Sequence, residues 1–119
     1  MYIRLREATD EGLVQCFTCG KIANYKLGMQ CGHFQSRVNL STRFDEQNCQ
    51  VQCVACNMFR QGEQYKFGLM LDGKYGEGTA LELEYKSRQT LKISRDEYME
   101  NISYYKECVD NLLTANGLS

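Results

Sequence analysis

The sequence predicts an α+β fold: a small zinc-stabilised core of strands leading into a helix, with further helices added at the C-terminal end. Three observations carry the prediction. Two Cys-x-x-Cys pairs, Cys16/Cys19 and Cys53/Cys56, have 33 residues between them, a pattern suited to one tetrahedral zinc ion. Between the pairs lie two stretches of strand character, at 29–34 and 48–52. Beyond residue 79, helix-forming residues dominate, and an apolar stripe recurs at steps of three and four.

At 119 residues the chain is read as one domain, 1–119, with the zinc-bound core at 13–72 and a helical extension at 73–119. A fold of this size buries a modest core, and a metal commonly makes up the deficit. Apolar residues make up 43 % and charged residues 24 %, a balance typical of soluble globular proteins. No apolar run approaches the ~18 residues of a membrane span, and the charged opening MYIRLREATDE has no apolar signal core. Seven cysteines is an odd count, and with no export signal the paired ones point to metal in a reducing cytoplasm, not to disulfides. Cys31, Cys49 and Cys108 are read as small buried hydrophobes. Residues 21–74 carry a net charge of +3 while the segments on either side are negative, so the basic block coincides with the cysteine motif. That suits a phosphate-bearing partner.

Taken in order, residues 1–12 are expected to form a short helix or extended lead-in beside the zinc site. Residues 14–20 read as a strand end running into a knuckle, with Cys16 and Cys19 facing one ion. Residues 29–34 read as a strand that puts Cys31 and His33 on one face. Gly32 leaves the backbone next to His33 open to close approach. Residues 35–47 are polar and read as a loop, with Arg37 and Arg43 as phosphate contacts. A return strand over 48–52 turns Val51 inward. A helix is expected from near Cys56 to Leu71, with Phe59, Phe67, Leu69, Met70 and Leu71 as core candidates, and with Arg60 and Lys66 as further DNA contacts. Gly73, Gly76 and Gly78 mark a turn region. Residues 79–88 are ambiguous: Leu81, Leu83 and Tyr85 alternate as in a strand, while Ala, Leu, Glu and Lys favour a short helix, which is the form expected. Ser94-x-x-Glu97 is a capping box for the last helix. Its stripe, Tyr98, Ile102, Tyr105, Val109 and Leu112, seats either on the domain's own core or on a second copy of the chain, and Asn116-Gly117 is the stop.

Four thiolates close a tetrahedral zinc site and leave no position for water, so that zinc has a structural role. His33, the single histidine, lies between the two half-sites. A neutral imidazole there can take a proton from water attacking a phosphodiester. Asn57 follows the last cysteine directly, and its amide oxygen suits a hard ion such as Mg²⁺ or Mn²⁺. Asn48 can fix a loop carbonyl or orient the imidazole. The expectation is that His33 and Asn57 face a common pocket wide enough for a DNA strand. An inert zinc module is the alternative.

The order His33, Asn48, Asn57, with N-x-x-x-Q-C-x-x-C-N at 48–57, resembles the HNH or His-Me finger nucleases with a treble-clef zinc knuckle. More closely, IRLR at 3–6, CFTCGK at 16–21, CGHF at 31–34, RFDEQN at 43–48, QCVACN at 52–57 and YGEGTALELE at 75–84 resemble the NinG/Rap family of phage recombination endonucleases. The resemblance covers nearly the whole chain. It implies a ββα-metal core and a structure-specific, divalent-ion-dependent endonuclease in the host bacterial cytoplasm, cutting branched DNA such as Holliday junctions or D-loops. In that frame His33 is the general base, Asn57 (with His33 as a candidate) a ligand of the catalytic Mg²⁺ or Mn²⁺, and Asn48 the orienting residue. Cys16, Cys19, Cys53 and Cys56 hold structural zinc. A homodimer through the C-terminal helix and phage or host recombination proteins are the implied partners. Many HNH nucleases carry Asp just before the base histidine. This chain has Gly32, so Asp45, Glu46, Glu63 or His33 itself is left to complete a metal site. The alternative reading is a non-catalytic zinc module that docks on DNA or a recombination protein.

Overall fold

A computed structural model describes residues 1–89 and 95–117. The elements are α1 (Tyr2–Leu5), β1 (Leu13–Gln15), β2 (Ile22–Asn24), β3 (Met29–His33), α2 (Leu40–Arg43), β4 (Cys49–Cys53), a π-helical turn (Ala55–Phe59), α3 (Gln64–Tyr75), α4 (Thr79–Ser87) and α5 (Arg95–Ala115). The expected mixture of short antiparallel strands and C-terminal helices is therefore present. No helix among the described residues is long and apolar enough to cross a membrane.

Two antiparallel hairpins carry the site. β1 pairs with β2, opening the Cys16–Cys19 knuckle between them. β3 pairs with β4 in a register that sets Cys31 opposite Val51, Gly32 opposite Gln50 and His33 opposite Cys49. Side chains alternate along a strand, so Cys31, His33, Cys49 and Val51 share one face, while Gln30, Gly32, Gln50 and Gln52 share the other. The first face meets α1, and α1 in turn packs on α5. Leu5, Val14, Tyr25, Met29 and Val51 form a core there together with Cys16, Cys53 and Cys56, and Val109, Leu112 and Leu113 of α5 close it. The second face meets α3 and the turn before it: Gln52 donates from Nε2 to Gly62 O in that turn, and Gln50 to the Tyr75 hydroxyl of α3. A smaller cluster, Phe67, Leu71 and Leu83, joins α3 to α4.

Gly32 has a steric reason. A Cβ there would lie 1.9 Å from Gln52 Oε1. The Gln52 carboxamide cannot retreat, because it is fully buried and its Nε2 is held by Thr18 Oγ1 at 3.1 Å and Gly62 O at 2.8 Å. The open backbone expected beside His33 is thus filled by an amide from the partner strand.

Several expectations are corrected. The stretch after Cys56 is no continuous helix to Leu71. It is a π turn, with Arg60 N–H donating to Ala55 O, followed by Gln61, Gly62 and Glu63, all at positive φ. A run of three left-handed residues cannot continue a right-handed helix, so α3 starts afresh at Gln64. The new phase buries Phe67 and Leu71, one helical turn apart, and turns Leu69 and Met70 to solvent, while Phe59, at the end of the π turn, is 81 % exposed. Gly73 lies inside α3, while Gly76 and Gly78 bound the turn that follows. The 35–47 loop contains the single helical turn α2. Of the two seats expected for the α5 stripe, the domain's own core takes part of it: Tyr105 stacks near Tyr2 and Phe44 and donates to Phe44 O, and Val109 and Leu112 reach the core. Tyr98 and Ile102 stay 37 and 44 % exposed. Ser94, the first member of the expected capping box, lies outside the described residues.

Candidate functional site

The knuckle and the end of β4 bring Cys16, Cys19, Cys53 and Cys56 together, with all four Sγ atoms within 4.8 Å of one another. All four thiols are free. A Zn–S length of about 2.3 Å implies a tetrahedral edge of about 3.8 Å, and Cys19 and Cys53 Sγ stand 3.7 Å apart. The donor set and its size fit zinc, so these cysteines could hold the ion. Such an ion would pin the knuckle to β4 and to the π turn. Cys16, Cys53 and Cys56 are buried, and Cys19 is the exposed corner. Burial pushes the Cys16 thiol up, but the backbone N–H groups of Cys53 and Cys19 and the Thr18 hydroxyl outweigh it and bring it to about 6. Cys56 is pushed up to about 12, chiefly by burial.

The far end of the β3–β4 hairpin is held by Asn48, which is fully buried. Its Oδ1 accepts from Gln35 N–H at 2.7 Å, and its Nδ2 donates to Gln35 O at 3.1 Å and Thr42 O at 3.2 Å. This clamp fixes the chain two residues after His33 and ties it to α2. Arg6 reinforces it from α1, donating to Glu46 O, Cys49 O and Gln50 Oε1. Tyr2 donates to Glu46 Oε1 at 2.7 Å, and that bond is the first cause holding its hydroxyl up at about 12.

Beside the clamp opens a cavity of about 690 Å³ whose lining includes His33, Arg37, Arg43, Asp45, Glu46 and Cys49. Arg43 is steadied by donating from Nε to Arg37 O at 2.8 Å. Burial, with help from Arg37 and Arg43, lowers the His33 pKa below its ordinary value, so the imidazole is neutral near pH 7. The cavity therefore pairs a neutral nitrogen base with two guanidinium groups, which is chemistry suited to a phosphate.

The structure does not bring all the expected site residues together. Neither Asn48 nor Asn57 lines the His33 cavity. Asn57 sits in the π turn and donates from Nδ2 to Gln30 Oε1 at 2.7 Å. Gln30 belongs to the hairpin face opposite to that of His33, which is the physical reason that the expected common pocket does not form. Lys66 lies instead in a groove with Cys16, Cys19 and Gly20, and Arg60 stands 3.9 Å from Glu63 Oε1. Among the described residues, the groups of three or more histidine, cysteine or carboxylate ligands are the four cysteines and Cys31/His33/Cys49. Neither of these two groups contains a carboxylate. Asp45 and Glu46 line the cavity, but Glu63 does not.

Arg6, Gln50 and Gln52 hold the site and escaped the sequence reading. The signal for the two glutamines was their parity: with Asn48 they repeat every second residue along one strand. Cys49 is buried as expected, but Cys31 is only partly so. The Cys49 thiol donates to Arg43 O at 3.5 Å, and the neighbouring Cys31 and Cys49 thiols perturb one another, lowering the Cys31 pKa and raising that of Cys49.

Knuckle, paired hairpins and π turn define a small protein built around four cysteines placed to hold a zinc ion. The chain belongs to the family of the bacteriophage lambda NinG protein, whose family model matches residues 1–114. No curated protein and no solved structure matches the chain.

Proposed function

We propose that this chain is an endonuclease that hydrolyses phosphodiesters in branched DNA, Holliday junctions or D-loops, during phage recombination. The observation that carries the reading is the cavity shared by His33, Arg37 and Arg43. In this reading Arg37 and Arg43 hold the scissile phosphate and offset the charge that develops on it. Neutral His33 takes the proton from the attacking water. Asn48 keeps the strand exit rigid so that imidazole and phosphate stay in register. A divalent ion, when bound, would add Lewis-acid stabilisation of the phosphoryl oxygens. A second copy of the chain, for paired cuts, and recombination proteins of phage or host are the partners that go with this reading.

The test is incision of a four-way junction, a D-loop and a linear duplex of the same sequence, with Mg²⁺, with Mn²⁺ and with neither added. The expected result is nicking at the branch and none in the linear duplex. A second reading, a non-catalytic zinc module docking on DNA or a recombination protein, is favoured by the separation of Asn57 from His33. Junction binding without incision under any of these conditions would select it.

A further inference from the structure

We propose that Cys31, His33 and Cys49 form a second metal site, distinct from the four-cysteine centre, that takes Zn²⁺ through two sulfurs and one imidazole and leaves one position open. The three side chains each offer one ligand atom, and these atoms lie within 4.8 Å of one another. The strand register accounts for the convergence. His33 and Cys49 are directly opposed across β3 and β4, and Cys31 is the next residue on the same face. The frame is rigid. Both strands are hydrogen-bonded, Asn48 clamps one end, and Arg6 holds the Cys49 carbonyl at 2.9 Å.

The chemistry of the set selects the ion. Thiolates and imidazole suit Zn²⁺ and match Mg²⁺ poorly, which prefers oxygen and keeps its waters. Three protein ligands with a free fourth position is the arrangement of exchangeable or reactive zinc, in contrast to the closed four-sulfur centre. The free side has room, because His33 and Cys49 line the cavity of about 690 Å³ together with Arg37 and Arg43. A water or an anionic oxygen can therefore complete the tetrahedron, with two guanidinium groups lining the space around it. The bland reading of Cys31 and Cys49, as two packed thiols, accounts for the burial of Cys49. It does not account for an imidazole brought to both. A metal-bound nitrogen has no lone pair for a proton. Zinc here and base action by His33 therefore exclude one another, a consequence that rests on the nuclease reading while the site itself does not.

The test is metal stoichiometry of the full chain under reducing, zinc-buffered conditions, followed by Co²⁺ replacement read as thiolate-to-cobalt absorption. The expected result is two zinc ions per wild-type chain, and one in each of Cys31→Ser, Cys49→Val and His33→Gln, all three still folded on the four-cysteine centre. Three separate variants keep the test valid if one of them misfolds. One ion in the wild type, two ions retained in the variants, or a Cys31–Cys49 disulfide under these conditions would overturn the proposal. Because no step of the measurement uses DNA, a failure of the nuclease reading leaves the result unaffected.

Discussion

Cys53→Ser, or removal of zinc by a chelator, is expected to unfold the chain rather than weaken it locally. Structural zinc contributes about 10–16 kcal/mol in small metal-built peptides, whereas a whole domain is stable by only about 5–15 kcal/mol. The packing shows why little would survive here. Three of the eight buried residues in the larger core cluster, Cys16, Cys53 and Cys56, belong to the four-cysteine group that could hold the ion. The other cluster, Phe67, Leu71 and Leu83, has just three buried side chains, each stabilising by about 1.5–3 kcal/mol. Ordering the backbone costs about 1–2 kcal/mol per residue, so that cluster cannot hold α3 and α4 alone. Amide dispersion by NMR and circular dichroism would report the loss, with recovery when zinc is returned to the wild type. A chelated chain that kept its dispersion would show that the four thiols are not the keystone.

Asn48→Asp is expected to cost roughly 3–5 kcal/mol, although it changes one atom. The amide nitrogen donates to two carbonyls, Gln35 O and Thr42 O, at a site with no solvent exposure. A carboxylate there loses both bonds and faces two carbonyl oxygens with a buried negative charge. Burial raises the new carboxyl's pKa above its unfolded value. The folded state then binds more protons than the unfolded state, so the deficit against wild type should shrink as pH falls and grow as pH rises. Urea denaturation of both proteins at two pH values checks the size and the sign. An equal deficit at both pH values would mean that the amide is not the clamp described.

Much of the scaffold was legible because its signals are local. The cysteine spacing marks the knuckle and the end of β4. Alternation marks the β3–β4 hairpin, and a stripe at helical spacing marks the inner face of α5. Where the reading failed, the deciding information was not local. Gln61 and Glu63 adopt positive φ without being glycine or asparagine, so nothing in their composition warns that the helix after Cys56 breaks. Once it breaks, the phase of α3 shifts and Leu69 and Met70 lose their expected burial, while Phe59 is left exposed at the end of the π turn. The site failed for a related reason. The position of the Asn57 backbone follows from Cys56 beside it, but which hairpin face its side chain meets depends on the β3–β4 register and on Gln30. The same register brings Cys49 to His33, a contact between residues 16 apart that neither neighbourhood announces.

The most direct measurement is single-turnover incision of a saturating four-way junction by wild type and by His33→Ala, each loaded with one zinc ion per chain so that the imidazole is free, with zinc content and amide dispersion confirming that both are folded. General-base catalysis contributes about 10²–10⁴-fold, so the expected result is a loss of that size with junction affinity retained through Arg37 and Arg43. Equal rates in the two proteins would contradict the assignment of the reactive centre to the cavity that His33 shares with those two arginines.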